Sequence, residues 1–154
     1  MRNRTSLILF FLFVTVFPEC ISGKVVAGAG RFEQYLPFIQ GKRVGMVVNH
    51  TSVVGTGQTH LLDTLLKQQI NVVKVFAPEH GFRGNADAGE HVSSSVDSKT
   101  GVPILSLYEG KDKKPSKASM QKFDILIVDI QDVGLRFYTY YITCLLYTSD
   151  AADD

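Results

Sequence analysis

NVVKVFAPEHGFRG, residues 71–84, joins two kinds of chemistry end to end. Val72, Val73, Val75, Phe76 and Ala77 form a short apolar run dominated by β-branched and aromatic side chains. A continuous rather than alternating run of this kind predicts a strand buried on both faces. Pro78 removes a backbone donor, ends the strand and fixes the direction in which the chain leaves it. Glu79, His80, Arg83 and the glycines at 81 and 84 follow at once. Glycine permits turns that other residues resist, so ionisable groups sit on a tightly turning loop at the lip of a buried strand.

Working outward, KRVGMVVNH (42–50) predicts an earlier strand through Val44, Met46, Val47 and Val48, ending in Asn49 and His50. TSVVGTGQT (51–59) is a loop by its Thr, Ser and Gly content. THLLDTLLKQQ (59–69) repeats Leu61, Leu62, Leu65 and Leu66 at helical spacing, with Thr59 or a neighbour as cap and Asp63 in the first turn. VPILSLY (102–108) predicts a third strand. KDKKPSKASMQKF (111–123) is polar, with a short helix starting near Pro115 or Ser116. DILIVDI (124–130) is a fourth strand, and QDVGLRFYTYYIT (131–143) leads through a loop into an aromatic-rich helix. The order strand, helix, strand, strand, helix, strand predicts a three-layer α/β domain of Rossmann-like type with a mainly parallel sheet.

That topology has a functional consequence. In open α/β sheets, ligands gather outside the carboxyl ends of the strands. The polar residues leaving the four strands are Asn49 and His50, then Glu79 and His80, then Tyr108 and Glu109, then Asp129, Gln131 and Asp132. Parallel strands would bring the first, second and fourth sets to one rim.

Glu79 and Glu90 stand eleven positions apart on the glycine-rich loop. Two carboxyls brought to about 5–9 Å suit acid and base, or acid and nucleophile, in glycoside hydrolysis. The bland alternative pairs Glu79 with Arg83 and leaves Glu90 as a loop cap. Asp129 and Asp132 could hold a divalent cation, bind sugar hydroxyls, or cap the next helix. His50, His60, His80 and His91 lack metal-ligand spacing. GAGRFE (28–33) does not follow a strand, so it is no dinucleotide fingerprint, and neither GxSxG nor a Walker motif occurs.

The chain has 154 residues, 45% of them apolar, and a formal net charge of +1. With no basic stripe, nucleic acid is not an expected partner. Residues 1–22 carry Arg2 and Arg4 ahead of an apolar run from Leu7 to Phe17, the layout of a secretory signal. That run is too short to span a bilayer, so no membrane span is expected after cleavage and an exported protein is. Cys20 invites lipid attachment, although the preceding FPE lacks the small residues such a signal uses. At the other end, CLLYTSDAADD (144–154) resembles translated sequencing-adaptor read-through. Residues 23–143 are therefore taken as the native folded part. Oligomeric state is not encoded in any feature of the sequence.

GKRVGMVVNHTS (41–52), FAPEHGFRGNADAGE (76–90), DSKTGVPILSLY (97–108) and FDILIVDIQDVGLRFYTY (123–140) together resemble the bacterial exo-β-N-acetylmuramidases, a glycoside hydrolase family. The resemblance runs from about Gly28 to Thr143. It implies an exported enzyme without cofactor that removes terminal N-acetylmuramic acid from the non-reducing end of peptidoglycan fragments. It also implies a Rossmann-like domain followed by a second α/β domain, with the active site in the cleft between them. Carried onto this chain, the resemblance places Glu79 and Glu90 as the two carboxylates without dividing their roles, and Glu79 is taken here as the general acid. His80 and Arg83 position the substrate, with the Arg83 fork facing the lactyl carboxylate of muramic acid. Asn49, Asp129, Gln131, Asp132, Arg136 and Tyr138 line the pocket, and His50 has no role. The family continues beyond RFYTYYIT, so the chain is expected to be a truncated, inactive part of the catalytic region. A sugar-binding module and a metal-dependent hydrolase built on Asp129, Asp132 and histidines remain alternatives.

Overall fold

Five of the strands form one sheet, in the order β5-β6-β4-β1-β7. In chain order, a 3₁₀ turn at Gly28–Gly30 precedes α1 (Phe32–Ile39) and β1 (Arg43–Val48). Then come β2 (Val53–Val54), β3 (Thr59–His60), α2 (Leu61–Lys67), β4 (Asn71–Ala77), β5 (Ser95–Val96), β6 (Pro103–Ser106), α3 (Lys117–Met120) and β7 (Ile125–Asp129). The computed structural model describes residues 25–84, 93–107, 115–131 and 139–140. The expected signal segment, the adaptor-like tail, His91, Tyr108, Glu109 and most of the expected aromatic helix lie outside them.

β1 pairs in parallel with β4 on one side and β7 on the other, and β4 pairs in parallel with β6. Only β5, at the edge, runs antiparallel. The sheet is therefore mainly parallel, as the buried apolar runs require. In β1 every residue after Arg43 is buried. Its alternate side chains face two separate cores. Val44, Met46 and Val48 pack with Leu61, Leu62 and Leu65 of α2 and with Ile39 of α1. Val47 packs with Phe76 and Leu107, and Met120 of α3 and Phe123 close over them. Helices on both faces complete the three layers. Burying a Val, Leu or Phe side chain contributes roughly 1.5–3 kcal/mol, so these two clusters hold the sheet in place. Gly45 is needed on the second face, where a Cβ would lie 3.2 Å from both Leu126 and Phe123.

Four elements were not anticipated. α1 contains Pro37, and its exposed Phe38 blurs the apolar stripe that marks a helix. The 51–59 loop carries a small antiparallel pair, β2 with β3, and β5 has only two residues. Elements that short have no period to detect. The expected short helix does begin after Ser116, whose side chain accepts from the Ser119 backbone N–H at 3.1 Å. Among the described residues, no helix is long and apolar enough to cross a membrane.

Candidate active site at the strand carboxyl ends

The strand order places a topological switch at β1. From β1 the chain moves outward through β4 to β6, then returns to add β7 on the other side of β1. In open α/β sheets the ligand crevice lies where the order reverses, outside the carboxyl ends. Asn49 leaves β1, Glu79 follows β4 after Pro78, and Asp129 closes β7, opposite Val48 in the register. These three strand exits lie at one end of three adjacent parallel strands. Gln131, exposed, follows two residues later.

Asn49 is fully buried and organises the loop that follows it. Its Oδ1 accepts from the Thr51 backbone N–H at 3.1 Å and from the Thr51 hydroxyl at 2.7 Å. Because an amide N–H can only donate, this bond fixes which end of the carboxamide is oxygen. Nδ2 then points away without a hydrogen-bond partner, the single such buried side-chain atom among the described residues. Ser52 ties two exits together: its hydroxyl accepts from the Asn49 backbone N–H at 3.2 Å and donates to the Asp129 carbonyl.

His60 underlies this loop. Its Nδ1 accepts from the Leu62 backbone N–H at 3.2 Å and so caps α2. Nε2 must then carry the proton and donate it to the Asn49 carbonyl at 2.9 Å. Burial pushes the His60 pKa down and keeps the ring neutral, in agreement with that tautomer. Burial pushes the Asp129 carboxyl the other way, above the usual carboxylate range, with Ser52 and His60 opposing. Tyr35, whose hydroxyl donates to the Ala29 carbonyl at 2.7 Å, is pushed up to about 12 by burial, with the Asp129 charge adding to the effect. A cavity of about 340 Å³ opens beside Asp129, walled by Tyr35, Ile39, Leu61 and Ile127.

The Glu79 turn is built from residues in unusual backbone conformations. The Gly81 N–H donates to the Pro78 carbonyl at 3.1 Å, and His80 adopts φ +69°, costly for a residue with a Cβ. Gly84, at φ +73°, passes so close to His50 that an added Cβ would lie 2.9 Å from its ring. Phe82 is buried edge-on against His60, with ring centroids 4.5 Å apart. The Glu79 carboxylate Oε2 accepts from the Thr139 hydroxyl at 2.8 Å, and the Glu79 carbonyl accepts from the Tyr140 hydroxyl at 3.3 Å.

Arg83 differs from the sequence expectation. Its Nε and Nη2 form a two-pronged bond with Asp97, at 2.9 and 2.8 Å, and Nη2 also reaches Asp63 at 3.2 Å. Lys99 holds the other Asp63 oxygen at 2.5 Å. The guanidinium stacks on Phe82, 4.7 Å from the ring centre. Hydrogen bonds from Arg83 hold the Asp97 carboxyl down at about 2. For Asp63, burial pushes upward, but hydrogen bonds from Lys99 and Arg83 outweigh it and hold the carboxyl below its ordinary value. The Nε and Nη2 edge of Arg83 is thus already occupied by carboxylates of the protein, so that edge of the fork is not open to a substrate carboxylate. It does not pair with Glu79 either. Glu90, Asp132, Arg136 and Tyr138 lie outside the described residues.

A larger hollow of about 790 Å³ lies away from this rim, over Val73, Val96, Ile104 and Leu105. Its floor is apolar. Arg43 at its border is held by Asp124, and Lys74 by the carbonyls of Ser119 and Gln121. None of the strand exits reaches it, so the chemistry belongs to the rim.

A family model described as exo-beta-N-acetylmuramidase NamZ, N-terminal, matches residues 44–154. The chain belongs to that family. Among NamZ relatives, the peptidoglycan beta-N-acetylmuramidase NamZ of Bacillus subtilis (strain 168) is 46% identical over 121 residues, covering 78% of this chain and 28% of that protein. Two crystal structures of DUF1343 family proteins from Bacteroides fragilis NCTC 9343 share the fold. One has a TM-score of 0.68 at 53% identity, covering 83% of this chain and 31% of that one. The other has a TM-score of 0.67 at 37% identity, covering 79% and 29%. The chain thus spans under a third of the length of each of these relatives.

Proposed function

We propose that the protein carrying this NamZ-family segment is an exo-acting glycoside hydrolase that releases terminal N-acetylmuramic acid from the non-reducing end of peptidoglycan fragments. The observation that carries this is the position of Glu79. It sits just beyond β4, beside the switch point at β1, at the same end of the sheet as Asn49 and Asp129. The Bacillus subtilis relative, named a peptidoglycan beta-N-acetylmuramidase, supplies the substrate class. In this account Glu79 protonates the glycosidic oxygen as the bond to the anomeric carbon breaks. Glu90 acts on the anomeric carbon, directly or through a water. The unpartnered Asn49 Nδ2 offers a donor to a sugar oxygen. His80, Asp129, Gln131, Asp132, Arg136 and Tyr138 complete the pocket. Through its Nε and Nη2 edge, Arg83 acts as a structural clamp on the Glu79 turn.

The test is product analysis of the full-length protein on muropeptide fragments. Free N-acetylmuramic acid is the expected product, with the remaining saccharide shortened by one residue. Tight calorimetric binding with no product would instead make the rim a sugar-binding module. Loss of turnover on adding EDTA would favour the metal-dependent alternative. We also propose export directed by residues 1–22, which cell fractionation and the N-terminal sequence of the mature protein would test.

A further inference from the structure

We propose that Thr139, with Tyr140 beside it, is a positioning residue for Glu79 and determines which carboxylate oxygen faces the scissile bond; this rests on the glycosidase reading above. Thr139 and Tyr140 are adjacent in sequence, yet they reach the same distant residue from two directions. The Thr139 hydroxyl donates to Glu79 Oε2 at 2.8 Å, and the Tyr140 hydroxyl donates to the Glu79 main-chain carbonyl at 3.3 Å. One contact fixes the carboxylate and the other fixes the backbone that carries it.

Glu79 needs such fixing. It lies between Pro78, which is fully buried, and His80, whose φ of +69° places the turn in a sparsely populated region. A glutamate side chain has three rotatable bonds, and Glu79 is only half-buried. A hydroxyl on Oε2 removes most of that freedom. It leaves Oε1 without a protein hydrogen bond among the described residues. Oε1 is then the atom free to carry the proton that moves to the glycosidic oxygen. A reacting group displaced by about 1 Å can cost a hundredfold in rate, so a contact of this kind acts on kcat more than on substrate affinity.

The experiment uses the full-length protein and four variants: Thr139→Val, Thr139→Ser, Glu79→Gln and the double Thr139→Val/Glu79→Gln. Valine keeps the branched shape and removes only the hydroxyl. Expected for Thr139→Val are a kcat lower by about tenfold or more, a KM within about twofold, and a melting temperature lowered by no more than a few degrees. Serine is expected to restore most of the loss. In the Glu79→Gln background the valine change is expected to cost less than about twofold, because it acts only through Glu79. An unchanged kcat for Thr139→Val overturns the proposal, as does a loss confined to KM. So does an equal loss in both backgrounds, which would mark an independent or purely structural role. Normal turnover by Glu79→Gln alone is a different failure, that of Glu79 as the catalytic acid.

Discussion

Replacing Asp97 by Asn tests the clamp that holds the Glu79 turn. Asp97 is 5% exposed and accepts both prongs of the Arg83 fork, together with the Thr100 backbone N–H at 3.1 Å and the Thr100 hydroxyl at 2.6 Å. Its carboxyl is held at about 2, against an ordinary 3.8. A lowering of that size, at about 1.4 kcal/mol per pH unit, corresponds to about 2 kcal/mol of stabilisation. Arg83 is 27% exposed, so solvent screening trims this to about 1–2 kcal/mol for Asp97→Asn. Asp97→Ala also strands the guanidinium and the Thr100 donors, and about 3 kcal/mol is expected. The folded pKa lies below the unfolded one. The contribution is therefore complete above about pH 4 and disappears as pH falls toward about 2. Urea unfolding followed by circular dichroism, near neutrality and at a series of acid pH values, measures both effects. The gap between wild type and Asp97→Asn should close as pH falls through that window. A gap independent of pH, or no gap near neutrality, would refute the clamp.

Two further substitutions probe the same rim. Gly84→Ala forces a Cβ into the left-handed region at φ +73° and to within 2.9 Å of the His50 ring. It should destabilise by about 1–3 kcal/mol in the same unfolding assay, whereas Gly28→Ala, with nothing within 4 Å, should cost far less. His60→Ala removes the α2 cap and the donor to the Asn49 carbonyl, for an expected loss of about 1–3 kcal/mol. Buried His60 must lose its place to become charged, so wild-type stability should also fall as pH drops through and below the ordinary histidine range.

Much of the sheet was readable from local pattern. β1, β4, β6 and β7 are short, mostly apolar runs, and α2 shows itself in the spacing of Leu61, Leu62 and Leu65. Their parallel pairing followed from the expectation of burial on both faces, which β1 meets fully while β7 stays only half-buried, with Val128 exposed. Asn49, Glu79 and Asp129 could be placed on one rim because each directly leaves such a run. The missed features depend on partners far along the chain. Arg83 looked available for a substrate anion because nothing near it in sequence reveals Asp63 or Asp97. His60 looked like one of four scattered histidines, although its ring caps a helix and anchors a strand exit. Thr139 and Tyr140 sit in an aromatic run that gives no hint of a contact with Glu79. α1 was hidden by Pro37, and the two-residue strands had no period to recognise.

The central claim is that Glu79, at the carboxyl end of β4, donates the proton that cleaves the glycosidic bond. The most direct measurement is kcat for Glu79→Gln in the full-length protein, with release of N-acetylmuramic acid as the signal and binding followed separately by calorimetry. The expected result is a loss of about 10²-fold or more in kcat with substrate still bound. Turnover within about twofold of wild type would contradict it.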